Sequence, residues 1–182
     1  MAEIKPFKPV KLLCAIIFPR EEIREKAEAC LLDRFGPLDH RSPSFPFNYT
    51  DYYAPQMGKE LFRSFVSFDR LIWPEELPAI KLWTNRLEEE FQAWFPKPPR
   101  PVNMDPGYLN AAALVMATTK DFAHRLPLAL GIYGHLELLF TRQGVRLLDW
   151  TYPDFKQSGY QEFLLRVRET YLKQLRKREK DT

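Results

Sequence analysis

The chain has 182 residues, enough for one domain that buries most of its apolar surface without disulfide or metal staples. Hydrophobic residues are 45% and charged residues 28% of the total, which excludes a disordered or fibrous protein, and sixteen prolines against seven glycines indicate stiff connections. The net charge of +3 is local: residues 166–182 hold seven bases against three acids, a surplus of four that leaves the rest at −1. A basic helix end suits the helix dipole, and so confined a surplus argues against nucleic acid as the partner.

Cys14 and Cys30 form no Cys-x-x-Cys pair and read as small core residues of a reducing compartment. The longest early apolar run, 12–18, is stopped by Pro19 and lacks a small-residue cleavage site, so neither a membrane span nor a signal peptide is expected. The expected location is the cytoplasm.

In chain order, residues 10–18 are continuously apolar, the mark of a strand buried on both faces. Ile23, Ala27, Cys30, Leu31 and Phe35 then recur at helical spacing over 20–35, closed by Gly36-Pro37. A short strand is expected near 38–42. The segment 36–58 carries four prolines and the rings of Phe45, Phe47, Tyr49, Tyr52 and Tyr53, so it reads as an ordered irregular loop. Residues 61–68 alternate as a strand, with Phe62, Val66 and Phe68 on one face and Arg63, Phe65 and Ser67 on the other.

Pro74 opens a helix to about residue 95, its inward stripe being Leu77, Ile80, Thr84, Leu87, Phe91 and Trp94. Strands follow near Val102 and over 112–118, and 132–140 with 145–150 flank Gln143-Gly144 as a hairpin. Ser158-x-x-Gln161 has the form of a capping box, opening a helix with the stripe Tyr160, Phe163, Leu164, Val167, Tyr171 and Leu175. The expectation is one α+β domain over 1–182: a ferredoxin-like β-α-β-β-α-β core extended by a hairpin and a C-terminal helix, whose basic tail from about 173 to 182 is open to fraying.

Candidate chemistry clusters between residues 100 and 125. Asp105-Pro106-Gly107-Tyr108 has the composition of a type II turn; the functional alternative sets Asp105 beside Asn103 at a strand end, as a base or metal ligand. Lys120, Asp121, His124 and Arg125 follow an apolar run on a loop or helical turn, where they read as an anion site or as a surface ion-pair group. Tyr133, His135 and Glu137 share a strand face opposite Ile132, Leu136 and Leu138; the pair suits a metal or a proton relay, and a plain solvated face fits equally. Asp51, Tyr52 and Tyr53 in the aromatic loop, with Lys81, Asn85 and Arg63, form a candidate pocket lining, and a helix face on which Lys81 and Asn85 simply meet water fits equally. No His-x-x-x-His pair or Gly-x-Ser-x-Gly elbow occurs, so no metal site is assigned and serine hydrolase chemistry is set aside.

Several of these segments carry a family likeness. Thr50-Asp51-Tyr52-Tyr53 with Met57-Gly58, Lys81 with Thr84-Asn85, and Val102-Asn103-x-Asp105-Pro106-Gly107-Tyr108 make up its first half. Ala117-Thr118-Thr119-Lys120-Asp121 with His124-Arg125, Gly131-Ile132-Tyr133 and Trp150-Thr151-Tyr152-Pro153-Asp154 make up its second. In these motifs the chain resembles a bacterial and archaeal family known as domain-of-unknown-function family 4416, some members of which carry the label "GTP-binding protein". The resemblance implies no activity. It implies an acidic residue where His135 stands, and this chain departs there. A P-loop needs Gly-x-x-x-x-Gly-Lys-Ser/Thr, which none of the seven glycines supplies, and no Asn-Lys-x-Asp is present; a P-loop GTPase is therefore rejected, while nucleotide binding by another geometry stays open.

Two function classes remain. One is a small enzyme or ligand-binding domain for an anionic, phosphorylated or nucleotide-like molecule, with Asp105 or His124 as acid–base group, Lys120 and Arg125 as anion clamp, and Asn103, Tyr108, Tyr133, His135, Asp51, Tyr52 and Asn85 as further contacts. The other is a protein-interaction module using the aromatic loop 45–53 and the basic tail. Cofactor and oligomeric state are not readable from the chain.

Overall fold

The structure, a computed structural model, describes residues 3–180. Its centre is β1 (Val10–Phe18), all nine residues buried, as a continuous apolar run requires. Strand β4 (Phe62–Ile72) pairs with one edge of β1 and β5 (Asn103–Leu109) with the other, both antiparallel. Beyond β4 lies β2 (Leu38–Arg41), while the two-residue β3 (Phe45–Pro46) also pairs with β4. Beyond β5 come β6 (Ala113–Thr118), β8 (Ile132–Thr141) and the edge strand β7 (Arg125–Ala129), giving the order β2-β4-β1-β5-β6-β8-β7. Strand β9 (Gly144–Leu147) returns along β8. The fold is α+β with an antiparallel sheet.

Alternation along the strands sorts the core into two layers. Leu12, Cys14, Ile16, Phe18, Val66, Phe68 and Met104 face helices α1 (Glu21–Phe35) and α3 (Leu77–Trp94). Leu13, Ala15, Phe65, Leu114, Met116, Leu138 and Phe140 face α4 (Ser158–Lys180). The helical stripes read from the sequence are these packing faces, except that Trp94 is 44% exposed at the end of α3. Gly36 (φ 88°) closes α1, its N–H donating to the Leu32 carbonyl. α4 continues through Lys180, and the tail residues 181–182 lie outside the described residues.

Four expectations are corrected. Asp105-Pro106-Gly107-Tyr108 is no turn: it lies inside β5. The Met104 N–H and C=O point away from β1, so Pro106, two residues on, puts its missing N–H on that same side, where β6 has not yet joined the sheet. Gly107 is required by close approach, because a Cβ there would lie 2.5 Å from Met116 Sδ and 2.7 Å from the Val115 carbonyl. Arg125 opens an edge strand rather than riding on a loop, with Pro127 at the sheet margin where proline is tolerated. The last strand of the hairpin stops at Leu147. Finally, the Gln161 side chain donates to the carbonyls of Phe155 and Lys156 instead of completing a capping box.

Candidate functional site

The site begins where the sheet forks. β5 is paired with β1 over seven residues, but β6 joins it only at Gly107, Tyr108 and Leu109. The first half of β5 therefore has a bare edge. A buried, unpaired ladder group is costly, and α3 supplies substitutes: the Met104 N–H donates to Glu88 Oε1 (2.7 Å) and the Met104 carbonyl accepts from Lys81 Nζ (2.9 Å). Lys81, Asn85, Glu88, Glu89 and Gln92 form a polar stripe along α3, each lining a cavity of about 1050 Å³ that opens in the fork. A second helix, α2 (Ala54–Met57), and the loop before it set Phe47, Tyr52 and Tyr53 against the same cavity.

Asp105 is the hub of the floor. It shares a strand face with Asn103, whose amide donates to it at 2.7 Å; Lys81 Nζ is 3.1 Å away and an Arg63 nitrogen 3.7 Å. Its side chain keeps 27% of its surface accessible, yet protein charge surrounds it. Burial by itself raises its pKa, but Lys81 and Arg63 together outweigh burial and hold the carboxyl below its usual range. Lys81 in turn stays charged: burial lowers its pKa, and Asp105 and Glu88 more than offset that. Arg63 also pairs with Asp154, and Arg100 pairs with Glu88 at 2.9 Å and contacts Asn103. For Glu88 and Asp154 burial prevails over the neighbouring cations, and both pKa values are raised.

The opposite wall comes from a β-bulge. Pairing between β6 and β8 jumps from Leu114↔Leu138 to Val115↔Leu136, leaving Glu137 opposite no residue. The extra residue moves Leu138 onto the same side as His135, contrary to strict alternation, and aims Glu137 into the cavity. Residues 150–154 clamp this bulge. Trp150 Nε1 donates to the Leu136 carbonyl (2.7 Å), Thr151 Oγ1 to the Glu137 carbonyl (2.5 Å) and the Tyr152 N–H to Glu137 Oε1 (2.7 Å), while Asp154 holds Arg63.

Of the residues singled out from the sequence, Asp105, Asn103, Lys120, Tyr52, Tyr53, Arg63, Lys81 and Asn85 line the cavity together. Lys120 is exposed at the rim, its Nζ 4.0 Å above the Tyr52 ring centre. The others stand elsewhere. Arg125 lies behind the wall, donating to the Lys120 carbonyl (2.9 Å), the Tyr152 hydroxyl (2.7 Å) and His135 Nδ1 (3.4 Å), so it positions the wall rather than clamping a ligand. His135 is buried with Nε2 3.0 Å from Glu137 Oε2. His124 stacks on Trp150 (5.2 Å, 9°) and meets His135 edge-on, off the cavity lining. Tyr108 packs toward α3, Tyr133 sits half-buried between Thr118 and Pro127, and Asp51 is exposed in its loop. Glu88, Arg100, Glu137 and Asp154 were not among the selected contacts, although the last belongs to a quoted motif and Glu137 to the His-x-Glu pair.

Among the described residues no group of three or more His, Cys, Asp or Glu side chains is arranged to hold a metal ion, and no helix is long and apolar enough to cross a membrane. The family model described as "Domain of unknown function (DUF4416)" matches residues 8–171, a span that includes every cavity residue named above. The chain belongs to the DUF4416 family. Neither a curated protein nor a solved structure matches it. Within this DUF4416 chain the motifs that carry the resemblance have physical roles: Lys81 and Asn103-x-Asp105 build the floor, Pro106-Gly107 allows the fork, and Trp150-Thr151-Tyr152-Pro153-Asp154 fastens both walls.

Proposed function

We propose that this protein is a cytoplasmic enzyme or ligand-binding domain that takes an anionic small molecule into the forked cavity. The observation that carries the reading is the convergence of Arg63, Lys81, Arg100 and Lys120 on one cavity of about 1050 Å³, room enough for a nucleotide or a sugar phosphate. Three of these cations have carboxylate partners, and Lys120 at the rim has none among the described residues. Lys120 is therefore the first contact for an incoming anion, and Arg100 is the second. Asp105, depressed in pKa by two cations, is a poor proton acceptor at neutral pH; its role in this reading is to orient Lys81 and to accept from a ligand hydroxyl. The strand order β2-β4-β1-β5, with α1 and α3 on one face, supports reading the core as ferredoxin-like.

The competing reading, a protein-interaction module, draws on Tyr49 and Tyr52, which are 40% and 59% exposed. Phe47 and Tyr53 of the same loop turn inward, Phe47 under the Arg63 guanidinium (4.6 Å), and that favours a cavity wall. A thermal-shift screen with nucleotides, sugar phosphates and divalent metals separates the two. An anion that raises the melting temperature of the wild type, with the shift largely lost in Lys120→Ala, supports the cavity reading. A wild type that no compound stabilises at millimolar concentration refutes it.

A further inference from the structure

The charges on the cavity wall do not cancel evenly, and the remainder describes the ligand. Arg63 is matched by Asp154 and Asp105, Lys81 by Asp105, and Arg100 by Glu88. Glu89 is exposed. What is left is Lys120 at the rim and Glu137 inside, for which no lysine or arginine partner exists among the described residues.

Glu137 is placed with unusual care for a group with no lysine or arginine beside it. Its side chain is fully buried, a bulge aims it into the cavity, and the Tyr152 N–H fixes Oε1. Oε2 receives no hydrogen bond, although His135 Nε2 lies 3.0 Å away. His135 is itself held by Arg125 on Nδ1. A buried acceptor left open costs free energy that a ligand donor recovers on binding.

Resting on the anion-binding reading above, we infer that the ligand carries a second feature, a hydroxyl or amino donor that reaches Glu137 Oε2 while its anionic group meets Lys120. The ligand class is thus an amphoteric or polyhydroxylated anion, and a simple anion lacking a donor is a poor fit. A hydroxyl and an ammonium would both serve Oε2, and matched probes distinguish them.

Calorimetric titration of the full chain with ribose 5-phosphate against n-pentyl phosphate, and with O-phosphoethanolamine against ethyl phosphate, tests this. At least one donor-bearing probe should bind tenfold or more tightly than its partner, and which pair does so identifies the donor. In Glu137→Gln the Tyr152 N–H keeps the amide oxygen at the Oε1 position, so an NH2 replaces the open acceptor, and the preference should fall to threefold or less. Equal binding within both pairs by the wild type overturns the inference and leaves the anion reading standing. A preference that survives Glu137→Gln also overturns it, since the donor is then read elsewhere. Failure of all four probes at millimolar concentration removes both.

Discussion

β1 and β5 run side by side, paired over seven residues, yet only β5 sets a charged side chain into the cavity. β1 is hydrogen-bonded along both edges; most of its apolar side chains pack against α1 and α3 on one face and α4 on the other, Ile17 packs on Phe47 and Met57, and Lys11 pairs with Asp39. β5 loses its outer neighbour before Gly107, and the backbone groups left bare are taken by Lys81 and Glu88. Charged side chains recruited to finish a ladder then hold Asp105 and Arg100 in place. The candidate site arises here because the sheet stops early and side chains of α3, rather than a further strand, complete its edge.

The contrast is broken most forcefully at Arg63. Arg63→Ala leaves Asp154 and Asp105 without their shared partner, and losing one member of a buried pair costs about 3–5 kcal/mol. A urea-derived unfolding free energy that falls by that much, beside Ile16→Val in β1 at about 0.5–1.5 kcal/mol, would place the larger sensitivity at the fork. Equal losses would say that the two strands are held by the same forces. Lys81→Met comes next: the Met104 carbonyl loses its donor, while Asp105 keeps Arg63, so a loss of about 2–3 kcal/mol is expected in the same assay. Gly107→Ala probes the point where the fork closes. Its Cβ would press on Met116 and the Val115 carbonyl, pushing β6 off β5, and overpacking of this kind costs about 1–3 kcal/mol. Amide exchange at Tyr108 and Asn110, whose N–H groups face β6, should quicken in that variant and stay unchanged along β1.

These same residues show what a sequence can disclose. The α+β class was legible because β1, α1, α3 and α4 carry long, uninterrupted periodicities whose stripes are the packing faces. Asp105, Asn103 and Lys120 were legible as a polar cluster bracketing an apolar run, and they do share the cavity. The fork was not, because Pro106-Gly107 is the ordinary signature of a turn, and only the absence of β6 opposite Pro106 makes it compatible with a strand. Glu137 was legible as half of the His-x-Glu pair, but the bulge beside it was not: it breaks the alternation by one residue, so the face assigned to Leu138 is inverted. Arg125 has the composition of an anion clamp, but its donors are spent on Lys120, Tyr152 and His135, a disposition set by contacts distant in sequence.

The smallest expected effect is the sharpest test of the fork's electrostatics, because it depends on sign. Burial raises the Glu88 pKa, and Lys81, Arg100 and the Met104 N–H pull it down without reversing the shift. A carboxyl whose folded pKa lies above the unfolded value of about 4.3 binds its proton more tightly when folded, so its contribution to stability grows as pH falls toward that value. The amide introduced by Glu88→Gln has no such titration. The stability difference between wild type and this variant should therefore increase in favour of wild type from about pH 7 to about pH 4.5. Asp105 behaves oppositely: its pKa is depressed, so its contribution is intact above about pH 4 and is lost as pH falls through its folded value. A wild-type advantage that is flat or shrinks on mild acidification would mean that the cations, rather than burial, dominate Glu88, and that α3 seals the edge of β5 with an ordinary solvated carboxylate.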